Sequence, residues 1–207
     1  TYVLPPLVEA TTATLTDIGN NLDELGYQYV YDHRNRLVEK KVPGKGWEHM
    51  VYNKLDQLVL TQDANQRESD EWSFTKYDAF GRVVYTGLYT SGSSEDREDL
   101  QGYVDDTTTY ELYEEPQGSS INFGQADVFY TNDAFPDSNM EVLTINYYDV
   151  YDFLANESIT LLPATVFGDN ELQVVNYNGG NSLLTKGLAT GSKIKVLETN
   201  DWITTAT

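Results

Sequence analysis

The chain carries two imidazoles, His33 and His49, and no cysteine, so any acid–base or metal chemistry must come from these two or from carboxylates. A zinc or other transition-metal centre needs several N or S ligands at short, regular spacing. Neither histidine has a second His at such a spacing, and both read as structural or surface residues. The 33 Asp and Glu residues are too abundant for any pair to stand out as the two carboxylates of a glycoside hydrolase. Acid gathers at Glu95-Asp96-Arg97-Glu98-Asp99, Asp105-Asp106 and Glu114-Glu115, where a hard cation such as calcium could find oxygen ligands. No Asp-x-Asp-x-Asp-Gly loop with a downstream Glu is present, and these runs read as a solvated acidic loop that keeps the chain soluble. No Gly-x-Ser-x-Gly elbow, phosphate-binding loop or dinucleotide fingerprint occurs. Asn156-Glu157-Ser158 has the spacing of a glycosylation sequon. The expectation is no catalytic residue, no cofactor and no metal.

What the chain does repeat is a turn. Tyr31-Asp32-His33-Arg34-Asn35-Arg36-Leu37-Val38 is followed by Tyr52-Asn53-Lys54-Leu55-Asp56-Gln57-Leu58-Val59 and by Tyr77-Asp78-Ala79-Phe80-Gly81-Arg82-Val83-Val84. The copies start 21 and 25 residues apart, room for one or two strands each, and spacing of this order is the mark of a repetitive architecture. A fainter copy opens at Tyr148-Asp149. Alternating aromatics before the turn (Tyr27, Tyr29, Tyr31) and aliphatic pairs after it predict strand, tight turn, strand. Four residues after the tyrosine stand Asn35, Asp56, Gly81 and Asp152, all types that accept a left-handed backbone or build side-chain-bonded turns. Asp32, Asn53, Asp78 and Asp149 stand at the turn entrance, where a short acceptor can bond backbone N–H groups. Arg36 and Arg82 are expected to pair with a tyrosine face or with a turn carboxylate of the neighbouring hairpin. Tyr31, Tyr52 and Tyr77 should then fall on successive rungs of one sheet.

These motifs resemble the Rhs/YD-repeat family, whose repeat runs roughly Tyr-Asp-x-x-Gly-Arg-Leu. Tyr2-Val3-Leu4-Pro5-Pro6, the run from Tyr27 to Gly44, Leu60 to Asn65, and Thr185 to Lys193 with Asn200-Asp201-Trp202 are also similar to large bacterial members. The resemblance is weakest between about Ser91 and Asn139. It implies hairpins wound into a hollow spiral shell that, in toxin-bearing members, encloses a C-terminal effector. Localisation would be secreted or cell surface, and the partners would be the rest of the same large polypeptide and the enclosed effector. Self-cleaving members carry an Asp-Pro-x-Gly motif; this chain has no Asp-Pro, so no protease activity or toxin is implied for it.

The elements that must position the turns are expected to be all-β, with at most one short helix, from Leu15 to Leu25 and ending at Gly26. The organisation read from the sequence is an entry segment over 1–26, three repeats over 27–89, an acidic insertion over 90–140 and further shell strands over 141–207, in one continuous β structure. Within these, Ala64-Asn65 is expected to be a turn. Strands are expected at Tyr110–Tyr113, Asp127–Tyr130, Val142–Tyr148 and Lys193–Leu197, and a hairpin turn at Tyr177–Asn181. A net charge of −20 argues against a nucleic-acid partner, which rewards Lys and Arg. No signal peptide opens the chain and no apolar run of about 18 residues suits a membrane span. Thr1 begins and Ile203–Thr207 ends inside strand-like runs, so both ends are expected to be cuts through a longer polypeptide. The leading expectation is a non-enzymatic shell segment. The alternative is a carbohydrate- or protein-binding adhesin module in which exposed Trp47, Trp72 and Tyr89 stack on sugars or a partner. A hydrolase within the acidic insertion is a third reading, requiring carboxylates that converge in a pocket.

Overall fold

A computed structural model describes residues 2–3, 23–93, 95–124, 126–154, 165–166, 169–170, 174–177, 180–183 and 185–207. The chain is all-β, and it divides into two compact units, each built from several stretches. The first takes residues 1–75, 88–112 and 135–140; the second takes 76–87, 113–134 and 141–207. The first two repeats therefore fall in the first unit and the third repeat in the second.

In the first unit β1 (Tyr2–Val3), β2 (Tyr27–Tyr31), β3 (Leu37–Lys41), β4 (Glu48–Tyr52), β5 (Leu58–Gln62) and β6 (Glu71–Tyr77) lie side by side in chain order. Each pair is antiparallel, the arrangement that short turns allow. One face of these strands gathers Val51, Leu60, Trp72 and Phe74, all buried. Between β5 and β6 the expected turn at Ala64-Asn65 is a helix, α1 (Ala64–Arg67). Asp63 accepts from the Asn65 and Gln66 amides, and Gln66 returns a bond to the Asp63 amide, a reciprocal cap that holds one turn of helix. Of the helix expected over 15–25, only residues 23–25 are described, and they are helical.

The acidic stretch is not the open loop expected of it. After β7 (Val83–Thr90), Arg97–Asp105 form α2, with Leu100 and Val104 buried. Asp96 caps it by accepting from the Glu98 and Asp99 amides. Its first-turn acids sit where the helix N-terminus favours negative charge. Gln101 donates to the Tyr52 carbonyl and accepts from the Tyr52 amide, which pins α2 to β4. Tyr110–Tyr113, expected as a strand, bends instead, and Tyr110 packs with Tyr89 and Tyr103 around the buried Phe135 ring.

The second unit holds β8 (Pro116–Phe123) paired with β9 (Ala126–Tyr130), and the strand order β7, β10 (Met140–Tyr148), β15 (Ala189–Lys195), β16 (Trp202–Ala206). Two small pairs, β11 (Thr165–Val166) with β12 (Asp169–Asn170) and β13 (Val174–Tyr177) with β14 (Gly180–Leu183), complete the described strands. Tyr177 pairs with Gly180, so the hairpin expected there forms. The core is a chain of rings running Phe123, Tyr85, Tyr130, Tyr147, Phe153, with the last two stacked at 4.1 Å and 7°. Burial pushes the Tyr85 and Tyr130 phenols well above the ordinary tyrosine range. No helix among the described residues is long and apolar enough to cross a membrane.

Gly191 of β15 makes the Tyr147–Phe153 stack possible. A Cβ there would lie 2.4 Å from Phe153 Cζ and 2.3 Å from the Thr205 carbonyl oxygen, a backbone atom that cannot step aside. Gly191→Ala should therefore destabilise the second unit by about 1–3 kcal/mol through overpacking. Denaturant melts followed by near-ultraviolet circular dichroism of the ring stack will read this, and unchanged stability would disprove the close approach.

Candidate functional site

Every full Tyr-Asp copy turns the chain in the same way. Tyr31, Tyr52 and Tyr77 are the last residues of β2, β4 and β6. In the first copy the Asp32 amide donates to the Arg36 carbonyl and the Asn35 amide to the Asp32 carbonyl, both at 3.0 Å. Asn53 with Gln57 and Asp56, and Asp78 with Arg82 and Gly81, repeat these two bonds at 2.9–3.1 Å. The turn-entrance side chain adds two more. Oδ1 of Asp32 accepts from the Arg34 and Arg36 amides, Oδ1 of Asn53 from Leu55 and Gln57, and Oδ1 of Asp78 from Phe80 and Arg82. Only an acceptor on a one-carbon stem reaches both amides, which explains the restriction to Asp and Asn.

The residue four after the tyrosine is left-handed in all three copies, with φ of 61° at Asn35, 60° at Asp56 and 77° at Gly81, as the spacing predicts. This is a tight turn closed by a single left-handed residue. The return strand then carries one extra residue. Tyr31 pairs with Leu37 but Val30 pairs with Glu39, and Tyr52 pairs with Leu58 but Val51 with Leu60. The residues left over, Val38 and Val59, are buried. A bulge that turns a β-branched side chain inward thus follows the first two turns, and it was hidden in the sequence as the second member of each of those aliphatic pairs.

The fainter copy does not make this turn. Asp152, expected at the left-handed position, opens a short 3-10 helix over Asp152–Leu154. It is Asp149 that has positive φ, 70°, and its carboxylate serves another turn.

That service defines the site. Arg36 Nε donates to Asp32 Oδ2 at 2.7 Å, and Nη1 reaches the next turn, donating to the Asn53 carbonyl (3.1 Å) and Asp56 Oδ1 (3.0 Å). The guanidinium lies 5.0 Å over the Tyr52 ring. In the second unit Arg82 Nε donates to Asp78 Oδ2 at 2.6 Å, Nη2 donates to Asp149 Oδ2 at 2.7 Å, and the Tyr148 ring lies 4.3 Å away. Arginine suits this position because its planar fork can hold two carboxylates and an aromatic face at once. The middle copy replaces the ion pair by an amide pair, Asn53 Nδ2 donating to Gln57 Oε1 at 2.7 Å. The expected role of the arginines is therefore met, with the turn carboxylate and the neighbouring turn engaged together. Burial would raise the Asp32 carboxyl, but the Arg36 amide and guanidinium hold it below its usual range. Asp149 is held low by Arg82 first, against burial.

Two sequence readings change here. Trp72 and Tyr89, expected as exposed binding aromatics, are 1% and 7% exposed, because each faces a packed layer. Glu114, expected to be solvated, is fully buried: its carboxylate accepts from Lys76 Nζ (2.8 Å), Thr131 Oγ1 (2.6 Å) and the Asp133 and Ala134 amides. His49 lies within β4 against Trp72, and burial lowers its pKa. Among the described residues no group of three or more His, Asp or Glu side chains is placed to hold a metal ion.

Two outcomes follow. Gly81→Val should cost about 1–3 kcal/mol, because a β-branched residue resists positive φ, while Asn35→Gly should be nearly neutral; urea melts of both variants decide this. Asp32 and Asp149 titrate lower folded than unfolded. The stability they contribute is thus whole above about pH 4 and is lost as pH falls through their lowered folded values. Arg82→Gln removes the group that lowers Asp149, so a pH series of melts should show a flatter acid limb for that variant than for the native chain. It should also lose about 2–3 kcal/mol at neutral pH, where the buried Asp78 carboxylate keeps only its backbone donors.

The chain matches no family model, no curated protein and no solved structure.

Proposed function

We propose that this chain is a structural segment of a secreted or cell-surface YD-repeat polypeptide, non-enzymatic in itself, whose hairpins form part of a shell able to enclose or present a C-terminal effector. The observation that carries this reading is the repeated turn, in which the conserved geometry of three loops is spent on holding chain to chain. In the first and third copies the arginine is held by its own loop and by a second carboxylate, Asp56 for Arg36 and Asp149 for Arg82. A catalytic or ligand-binding constellation keeps polar atoms directed at a vacant volume. Here Phe80, Arg82, Asp149, Lys186 and Gly187 line a cleft of about 280 Å³, yet its acid and guanidinium are already bonded to each other. Of the three aromatics the adhesin alternative would use, Trp72 and Tyr89 are buried and Trp47 is half-buried.

The scaffold reading makes the loops exchangeable and the surface inert. Replacing Ala79-Phe80-Gly81 by His-Arg-Asn, the corresponding residues of the first copy, should leave the fold intact and cost less than about 1 kcal/mol, as surface changes away from special contacts do. The chain should turn over nothing in a panel of glycans and peptides. Measurable hydrolysis, or saturable binding to a glycan array that the loop exchange abolishes, would move the function from scaffold to enzyme or binding module.

A further inference from the structure

The second unit contains a buried constellation that its packing does not require. Lys76 and Glu114 have side chains with no exposed surface, and Lys76 Nζ lies 5.8 Å from the centre of the Tyr85 ring. Beyond its 2.8 Å bond to Glu114 Oε1, Nζ donates to Asn132 Oδ1 at 2.6 Å. A lysine, a side-chain amide and a carboxylate thus meet around one nitrogen. Removing an ion pair from water is costly, and a hydrophobic pair of similar volume would serve stability as well or better. The side-chain amide beside the ammonium has a chemical use instead.

We propose that Lys76 and Asn132 form an intramolecular amide bond with Glu114 as the proton carrier. Transfer of a proton from Nζ to Glu114 along their hydrogen bond turns the pair into a neutral amine and a neutral acid. The Asn132 amide carbon is one bond beyond the oxygen that Nζ already touches, within reach of the roughly 3–3.5 Å of a reactive approach. The Nζ lone pair adds to that carbon, forming the N–C bond, and the bond from the carbon to Nδ2 breaks. Two protons leave Nζ by way of Glu114. One joins Nδ2, which departs as ammonia, and the second leaves with it as ammonium, restoring the carboxylate. No oxidant, reductant or metal is consumed. Glu114 is suited to the shuttle because Thr131 Oγ1 and the Asp133 and Ala134 amides fix both of its oxygens. Asn132 is half-buried, which gives ammonia a way out. The product is a covalent ring closed between residues 76 and 132.

Intact-mass spectrometry of the folded chain tests this directly, since loss of ammonia lowers the mass by about 17 Da relative to the sequence. The expected result is that deficit, together with a branched peptide joining Lys76 to Asn132 and no tryptic cleavage after Lys76. Glu114→Gln, Lys76→Arg and Asn132→Ala should each appear at the full mass of their own sequence. Lys76→Arg keeps a cation against Glu114, so a loss of the link in that variant does not reflect a lost fold, as its circular dichroism will show. A native chain at full sequence mass after prolonged incubation in the folded state overturns the proposal, and so does a 17 Da deficit that persists in Asn132→Ala.

Discussion

The hold of a turn carboxylate on the arginine four residues later is the interaction from which the rest of the repeat follows. One oxygen of Asp32 or Asp78 takes two backbone amides and so sets the loop, while the other takes Nε and so aims the guanidinium. With its near side fixed, the arginine has only its far nitrogens left to use, and they reach whatever carboxylate lies next to the turn. Asp56 and Asp149 stand there. A lysine in the same place would carry the charge but not the direction, since a single ammonium has no second, oppositely placed edge. Local turn geometry and longer-range connection are therefore one arrangement. The left-handed fourth residue and the inward valine of the bulge complete it, the first by reversing the chain and the second by anchoring the return strand in the apolar layer.

Charge is handled differently in the two units. In the first, the ion pairs of Arg34, Arg36, Lys40 and Lys45 lie at least partly in water, where each contributes little individually. In the second, Lys76 and Glu114 lie wholly out of water beside a column of rings. Glu114 accepts four hydrogen bonds, which is what permits a carboxylate in such surroundings. A buried phenol also needs a partner, and Tyr85 donates to the Thr131 carbonyl while Tyr147 donates to that of Asp127. Tyrosine in place of phenylalanine thus ties two inner rings of the column to the backbone.

What was legible in the sequence was what is local. Asn35, Asp56 and Gly81 announced their left-handed conformation because residue type limits φ directly, and the Asp or Asn three positions earlier has to reach only its own loop. The recipients of the arginines were not legible in the same way: Asp149 lies 67 residues from Arg82, and Glu114 lies 38 from Lys76. Nothing in a −20 chain distinguishes Glu114, which is buried, from the many acids that are solvated. Asp152 misled because it has the right type at the right offset, yet Asp152–Leu154 wind into a 3-10 helix. The two helices are a different case. Asp63 with Gln66 and Asp96 with Asp99 are caps written in four residues each, and they passed as a turn and an acidic loop because the surrounding composition favoured those readings.

The middle turn, with Asn53 and Gln57 where its neighbours have aspartate and arginine, constrains how such a sequence can drift. Asn53 is 3% exposed, so an aspartate appearing there alone would bury a negative charge opposite a neutral amide, and an arginine appearing alone at 57 would meet an amide that cannot neutralise it. Both single steps pass through a disfavoured intermediate, whereas the paired exchange arrives at an arrangement already seen at Asp32–Arg36. The two positions are therefore epistatic, and in a population of related chains they should be inherited as a couplet, charged or neutral together. Mixed couplets would be the rare class, purged by folding before any function came under selection.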